Sequence, residues 1–227
     1  MTDITTTPLR IALDAGESVS ALLTTPAQPS AAYVFAHGAG AGMTHRFMED
    51  VAQGLAERGI ASLRYQFPYM EKGSKRPDVP RVAHAPVRCA VAEAARRWPS
   101  LPLFAGGKSF GGRMTSQAQA AAALPGVRGL VFFGFPLHPA GKPAAERAEH
   151  LLQLDCPMLF LQGTRDELAD TTLLRALISR LGERATLELA DDADHSFHVP
   201  ARSGRTDAQV RAGLLDTLVR WVDQRTP

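Results

Sequence analysis

Ser109 stands in Gly107-Lys108-Ser109-Phe110-Gly111, a G-x-S-x-G pattern extended by a further glycine on each side. A serine hydroxyl is a weak nucleophile until a base takes its proton, and that base needs a carboxylate to orient it. Two later segments carry such groups. Gly163-Thr164-Arg165-Asp166-Glu167 sets a carboxylate after a glycine turn, and Ala193-Asp194-His195-Ser196-Phe197 sets an imidazole in a short loop. The chain order Ser109, Asp166, His195 is the order expected when the serine occupies a strand-to-helix elbow. The chemistry implied is acyl transfer through a covalent intermediate.

Alternatives stand beside each member. Asp166 could instead cap the helix that follows, leaving Glu167 or Asp170 as the orienting acid; Asp166 is favoured as nearest the strand end. His198 is the other imidazole, but it lies later, where the chain already heads to Pro200. Asp191, Asp192 and Asp194 are expected to be solvated loop charges, with shaping of the turn that aims His195 as the alternative for Asp194. The pair Gly107-Lys108-Ser109 also echoes a phosphate-binding loop, whose first glycine would fall at Pro102 inside a strand, so that cradle cannot form. A third reading has the glycines merely letting a helix pack closely on a strand.

An oxyanion needs two fixed donors near the nucleophile. The Phe110 amide is one, and Ala39 in the loop His37-Gly38-Ala39-Gly40-Ala41-Gly42 is expected to supply the other. His37 lies at the wrong topological place for a base and is expected to brace its loop, or to touch substrate. Lys108 and Arg113, with Arg46 nearby, are candidates for contacting an anionic substrate or for bracing loops.

The elements that must position these groups follow from the spacing of apolar residues. Leu9–Ala12 and Val19–Thr24 flank a turn-rich gap and read as a hairpin. Compact apolar runs at Ala32–Ala36, Ile60–Tyr65, Leu101–Ala105, Val127–Phe135, Met158–Gln162 and Ala185–Leu189 read as strands. Helical patterns lie around Phe47–Ala56 and over Val82–Trp98, Ser109–Leu124, Ala144–Leu154, Leu173–Leu181 and Thr206–Gln224. Continuous apolar strands alternating with helices imply a mostly parallel sheet covered on both faces. The ligand edge of such a sheet is formed by the carboxyl ends of its strands, where the unusual glycine clusters fall. Only Gln66–Pro80 and Phe135–Pro143 offer enough chain to cover a site there. No repeat or linker interrupts the pattern, so one domain spanning 1–227 is expected.

Composition narrows the function further. With 45% hydrophobic and 21% charged residues, the 227-residue chain can bury a core, which excludes disorder as its main character. Lys+Arg 25 against Asp+Glu 23 gives a net charge of +2, too small to recruit nucleic acid or an anionic membrane. Cys89 and Cys156 are the only cysteines and lie in no metal-binding spacing, so reduced thiols are expected, with no structural zinc. Neither a basic, apolar leader nor a long apolar run is present, which points to a cytoplasmic protein.

With these residues in view, the chain resembles the α/β-hydrolase superfamily along essentially its whole length, and within it the small, lidless, dienelactone-hydrolase-like group. The resemblance is carried by His37–Met43 (H-G-A-G-x-G-M), Gly106–Arg113 (G-G-K-S-F-G-G-R) and Asp194–Phe197 (D-H-S-F). It implies Ser109 as nucleophile, Asp166 as orienting acid, His195 as base, and Ala39 with Phe110 as oxyanion donors. Ser109 stands where dienelactone hydrolases carry cysteine, so the likeness extends to the frame rather than to that substrate. The function expected is a carboxylesterase-like serine hydrolase acting on an ester, thioester or similar acyl bond of a small molecule, with no metal and no organic cofactor. The same frame could serve as a non-catalytic scaffold or as a serine peptidase. No oligomeric state is implied.

Overall fold

The computed structural model describes residues 3–13 and 16–226. Among these residues eight strands form one sheet: β1 (Ile4–Ala12), β2 (Ser18–Pro26), β3 (Ala31–Ala36), β4 (Ile60–Tyr65), β5 (Leu103–Lys108), β6 (Val127–Phe133), β7 (Met158–Gly163) and β8 (Ala185–Ala190). Their spatial order is β1-β2-β4-β3-β5-β6-β7-β8. The β1–β2 and β2–β4 pairs are antiparallel, and every other pair is parallel. The expected N-terminal hairpin therefore forms one edge; Asp14 and Ala15 of its turn lie outside the described residues.

Among the described residues six α-helices accompany the sheet: α1 (Arg46–Ala56), α2 (Pro68–Glu71), α3 (Pro80–Arg97), α4 (Phe110–Ala121), α5 (Thr171–Leu181) and α6 (Asp207–Asp223). Successive strand residues point to opposite faces, and the core divides accordingly. Ala32, Val34, Leu130, Phe132 and Phe160 pack with α3, α4 and α5 on one face. Tyr33, Phe35, Val131, Phe133 and Leu161 pack with α1 and α6 on the other. Burial on both faces explains why these strands read as unbroken apolar runs. The start of α6 is closed by a reciprocal Thr206–Gln209 capping box, which sets its first turn. No described helix is long and apolar enough to cross a membrane.

Several elements differ from expectation, and three of the differences bear on the site's frame. The strand expected over Leu101–Ala105 instead runs to Lys108, because Gly106 and Gly107 remain in register with Val131 and Phe132 on β6 and with Phe35 and Ala36 on β3. Ala144–Leu154, expected as an α-helix, forms a 3-10 segment over Glu146–Gln153. With Pro143 before it and Pro157 after, the longer rise per residue of a 3-10 helix lets a short segment cover the gap. The excursion after β4 contains the single turn α2, whose first residue, Pro68, has its φ fixed for helix.

The sheet's switch point lies between β3 and β5. From β3 the chain moves outward to β4, then returns to the opposite side of β3 as β5. A crevice opens at the carboxyl ends of such a strand pair. The His37–Gly42 loop leaves one of these ends and Ser109 the other.

Candidate active site

Ser109 joins β5 to α4 at φ 50 and ψ −115, in a region that side chains seldom occupy. Its amide donates to the Phe133 carbonyl (3.0 Å) and its carbonyl accepts from Arg113 N–H (3.1 Å), so strand and helix grip it from both sides. The flanking glycines are required by close approach. A Cβ at Gly107 or at Gly111 would stand 2.5 Å from the Ala36 carbonyl oxygen. No side chain fits there, and the elbow closes tightly against the end of β3.

His195 reaches across to this elbow from the loop after β8. Its Nε2 lies 2.9 Å from Ser109 Oγ, and its Nδ1 lies 2.7 Å from Asp166 Oδ2. Asp166 accepts only, so Nδ1–H donates to it and Nε2 is left to accept the serine proton. The Asp166 carboxylate is fully buried, whereas the His195 side chain keeps 26% exposure. Two further donors hold the carboxylate: Gln162 Nε2 on Oδ2 and Leu168 N–H on Oδ1, at 2.8 Å. Main-chain bonds from Thr164 to Ala190 and from Arg165 to Ala193 tie the Asp166 loop to the His195 loop.

The sequence alternatives fall in other places. Asp170 Oδ1 accepts from Thr172 and Leu173 N–H as the N-cap of α5, and Glu167 is exposed. His198 is exposed and bonded to Asp207, whose carboxylate raises its pKa. Asp194 Oδ1 accepts from the Ser196 and His198 amides, shaping the turn that presents His195.

A cavity of about 360 Å³ opens over Ser109 and His195. Its wall is mainly apolar, including Ala39, Phe47, Met48 and Leu168, with Lys108 at one side. Ala39 thus borders the space beside the hydroxyl. Gly38 packs against the elbow, since a Cβ there would lie 3.8 Å from Ser109 Cβ. Phe110 begins α4, so its amide has no intrahelical acceptor. Its ring is anchored edge-on to Phe67 (5.2 Å). Neither Gln66–Pro80 nor Phe135–Pro143, the two segments with enough chain to cover the site, lines this cavity.

Gln66–Tyr69 instead buttresses the His37 loop from beneath. Gln66 Oε1 accepts from Met43 N–H (2.8 Å), Tyr69 OH from Gly40 N–H (3.3 Å), and His37 Nε2 from Phe67 N–H (3.0 Å). His37 Nδ1 lies 2.8 Å from the Gly38 carbonyl, so the ring is neutral with its proton on Nδ1. Burial lowers its pKa to about 4. With no exposed surface and both nitrogens engaged, His37 braces the loop and has no atom left for substrate. Arg113 is likewise not in the cavity wall; burial and Arg147 both lower its pKa, and it acts on His150 beyond α4. Of the four candidate contacts, His37, Lys108, Arg113 and Arg46, only Lys108 lines the cavity.

Gln162, Phe47, Met48 and Leu168 escaped the sequence reading, each reading as ordinary core or loop. Among the described residues no group of three His, Cys, Asp or Glu side chains is gathered to hold a metal.

Comparison with known proteins gives the same frame. The sequence model of the alpha/beta hydrolase domain matches residues 29–223. The fold is similar to that of a dienelactone hydrolase from Anabaena variabilis (TM-score 0.79, 17% identity, 99% of each chain). It is also similar to an α/β serine hydrolase without lid from Xanthomonas campestris, at TM-score 0.75 and 22% identity over 95% of this chain and 94% of that one. An esterase domain from Rhodothermus marinus matches at TM-score 0.74 and 15% identity, over 98% of this chain and 100% of that one.

Proposed function

The chain belongs to the alpha/beta-hydrolase family, and on that footing we propose that it is a serine hydrolase cleaving an ester, thioester or related acyl bond of a small molecule. One observation carries the reading: an unbroken hydrogen-bond relay from Ser109 Oγ through His195 to the buried Asp166 carboxylate, opening onto a cavity. His195 Nε2 takes the hydroxyl proton as Ser109 Oγ bonds to the substrate carbonyl carbon. Asp166 holds the imidazole in the required tautomer and stabilises the imidazolium that forms. The carbonyl oxygen becomes an oxyanion, for which we assign the Phe110 and Ala39 amides as donors; Ala39 in the cavity wall and Phe110 at the start of α4 support the assignment. One such donor contributes on the order of 10²–10³ in rate.

Collapse of this tetrahedral species expels the leaving group, which takes its proton from His195. Water, deprotonated in turn by His195, then attacks the acyl-enzyme; the acid leaves and Ser109 regains its proton. The small, mainly apolar cavity supports a short, neutral acyl group with the remainder of the substrate in solvent.

The test uses nitrophenyl acetate and butyrate with the wild-type protein and Ser109→Ala. Turnover that disappears in the variant, together with fluorophosphonate labelling confined to Ser109, supports the reading. Equal rates in both proteins refute it.

A further inference from the structure

We infer that Lys108 is a positioning residue that fastens the His195 loop over the nucleophile beside it. The inference rests on Ser109 and His195 acting as proposed above. Lys108 is the last residue of β5 and the immediate neighbour of Ser109. Its Nζ donates to the main-chain carbonyl of His195 at 2.5 Å. Two consecutive residues therefore grip the same histidine, Ser109 at the ring and Lys108 at the backbone. A bond with an ionised donor is roughly twice as strong as a neutral one, which suits an anchor between segments far apart in sequence.

The surroundings are built for this ammonium. It lies 5.3 Å from the ring centre of Phe197 and 5.8 Å from that of Phe47, within cation–π range of both. Those rings stack on each other at 5.8 Å with an interplanar angle of 10°. Phe197 belongs to the His195 loop and Phe47 to α1, so the cation joins three segments. Gly134, just past β6, leaves the necessary room: a Cβ there would stand 2.8 Å from Lys108 Nζ and 3.4 Å from His195 Nδ1.

The ionisable groups around Lys108 oppose one another. Burial disfavours the charge, while the carboxylates of Asp166 and Asp194 favour it, leaving a pKa lowered to about 8. His195 and, across the cavity, His45 are the other titratable side chains nearby. Although Lys108 borders the cavity, its ammonium is committed to the His195 carbonyl and to the two rings. It acts through His195 and not on substrate.

Lys108→Met and Lys108→Arg discriminate between these roles. With nitrophenyl butyrate, Lys108→Met should lower kcat by roughly 10–100-fold, the loss of one hydrogen bond to a charged group, with KM unchanged within about 2-fold. Lys108→Arg keeps charge and donor and should restore most of that loss. Wild-type kcat should fall as pH rises through about 8, and the arginine variant should keep its rate there. Hydrogen exchange of amides 191–198 should accelerate in Lys108→Met but not in Lys108→Arg, a readout independent of turnover. Unchanged exchange in the methionine variant overturns the inference whether or not the protein is active. So does a raised KM at constant kcat, which would make Lys108 a substrate contact. Turnover indifferent to Ser109→Ala refutes instead the catalytic reading on which the inference rests.

Discussion

Lowering the pH from 7 to 4 should cost the native state about 3 kcal/mol through His37 alone. The ring is buried, donating from Nδ1 to the Gly38 carbonyl and accepting at Nε2 from Phe67 N–H. A second proton would sit on Nε2 and face the Phe67 N–H in the protein interior. Burial accordingly moves the pKa from the ordinary 6.5 to about 4. Between those values the unfolded chain binds more protons than the folded one, so stability falls with pH across that window and levels off below it. At 1.36 kcal/mol per unit, the shift corresponds to the stated loss, a large share of the roughly 5–15 kcal/mol typical of a folded domain. His37→Gln is the control, because a glutamine oxygen can still accept from Phe67 N–H but does not titrate. Urea unfolding followed by fluorescence of the buried Trp221 at several pH values should show the wild type converging on the variant between pH 6.5 and 4. His150, also lowered to about 4 chiefly by burial, is common to both proteins and cancels in the comparison. Parallel stability curves for the two proteins would refute the reasoning.

The remaining predictions concern the elbow and the acid. Asp166→Asn should lower kcat by about 10⁴-fold through the wrong imidazole tautomer, with little change in KM. Asp170→Ala should instead cost about 1 kcal/mol of thermal stability as a lost helix cap, with kcat preserved; the reverse pattern would exchange their roles. Gly111→Ala would place its Cβ 2.5 Å from the Ala36 carbonyl oxygen and 2.6 Å from that of His37. Backbone must move to admit it, so a loss of about 1–3 kcal/mol or more is expected in denaturant unfolding, accompanied by loss of turnover.

The frame was legible because the strands at its centre are buried on both faces. Runs such as Tyr33-Val34-Phe35 and Leu130-Val131-Phe132 have no polar alternation to confuse with helix. The elbow was legible because its demands are local: a sharp turn requires glycine on either side of Ser109, whatever the rest of the chain does. Asp166 and His195 were reached by chain order and by nearness to strand ends. Less was visible where an interaction joins segments distant in sequence. Gln162 reads as the polar end of a strand, and only the folded chain shows it holding the Asp166 carboxylate. His37 offers no sequence clue that Phe67, thirty residues on, supplies the donor that fixes its tautomer. The continuation of β5 through two glycines escaped for the same reason, since glycine ordinarily weakens a strand and here is imposed by the neighbouring backbones of β6 and α4.

Backbone strain marks the same place independently of any motif. Among the described residues, the non-glycines with positive φ are Ser109, Asp192 and Phe197, at 50, 59 and 62. One is the proposed nucleophile and the other two bracket His195. Conformations of this kind cost on the order of 1–3 kcal/mol where the side chain resists them, and they persist only when surrounding contacts over-determine them. Each is held in that way. Ser109 is tied to β6 and α4; Asp192 N–H donates to Thr164 Oγ1 at 2.9 Å; Phe197 N–H donates to the Asp194 carbonyl at 3.0 Å while its ring stacks on Phe47. Because these restraints are contacts within the folded chain, the approach of Ser109 to His195 is set by that frame. For the proposed serine hydrolase, preorganisation of that kind would remove reorganisation from the chemical step and give the strain at these three positions a use.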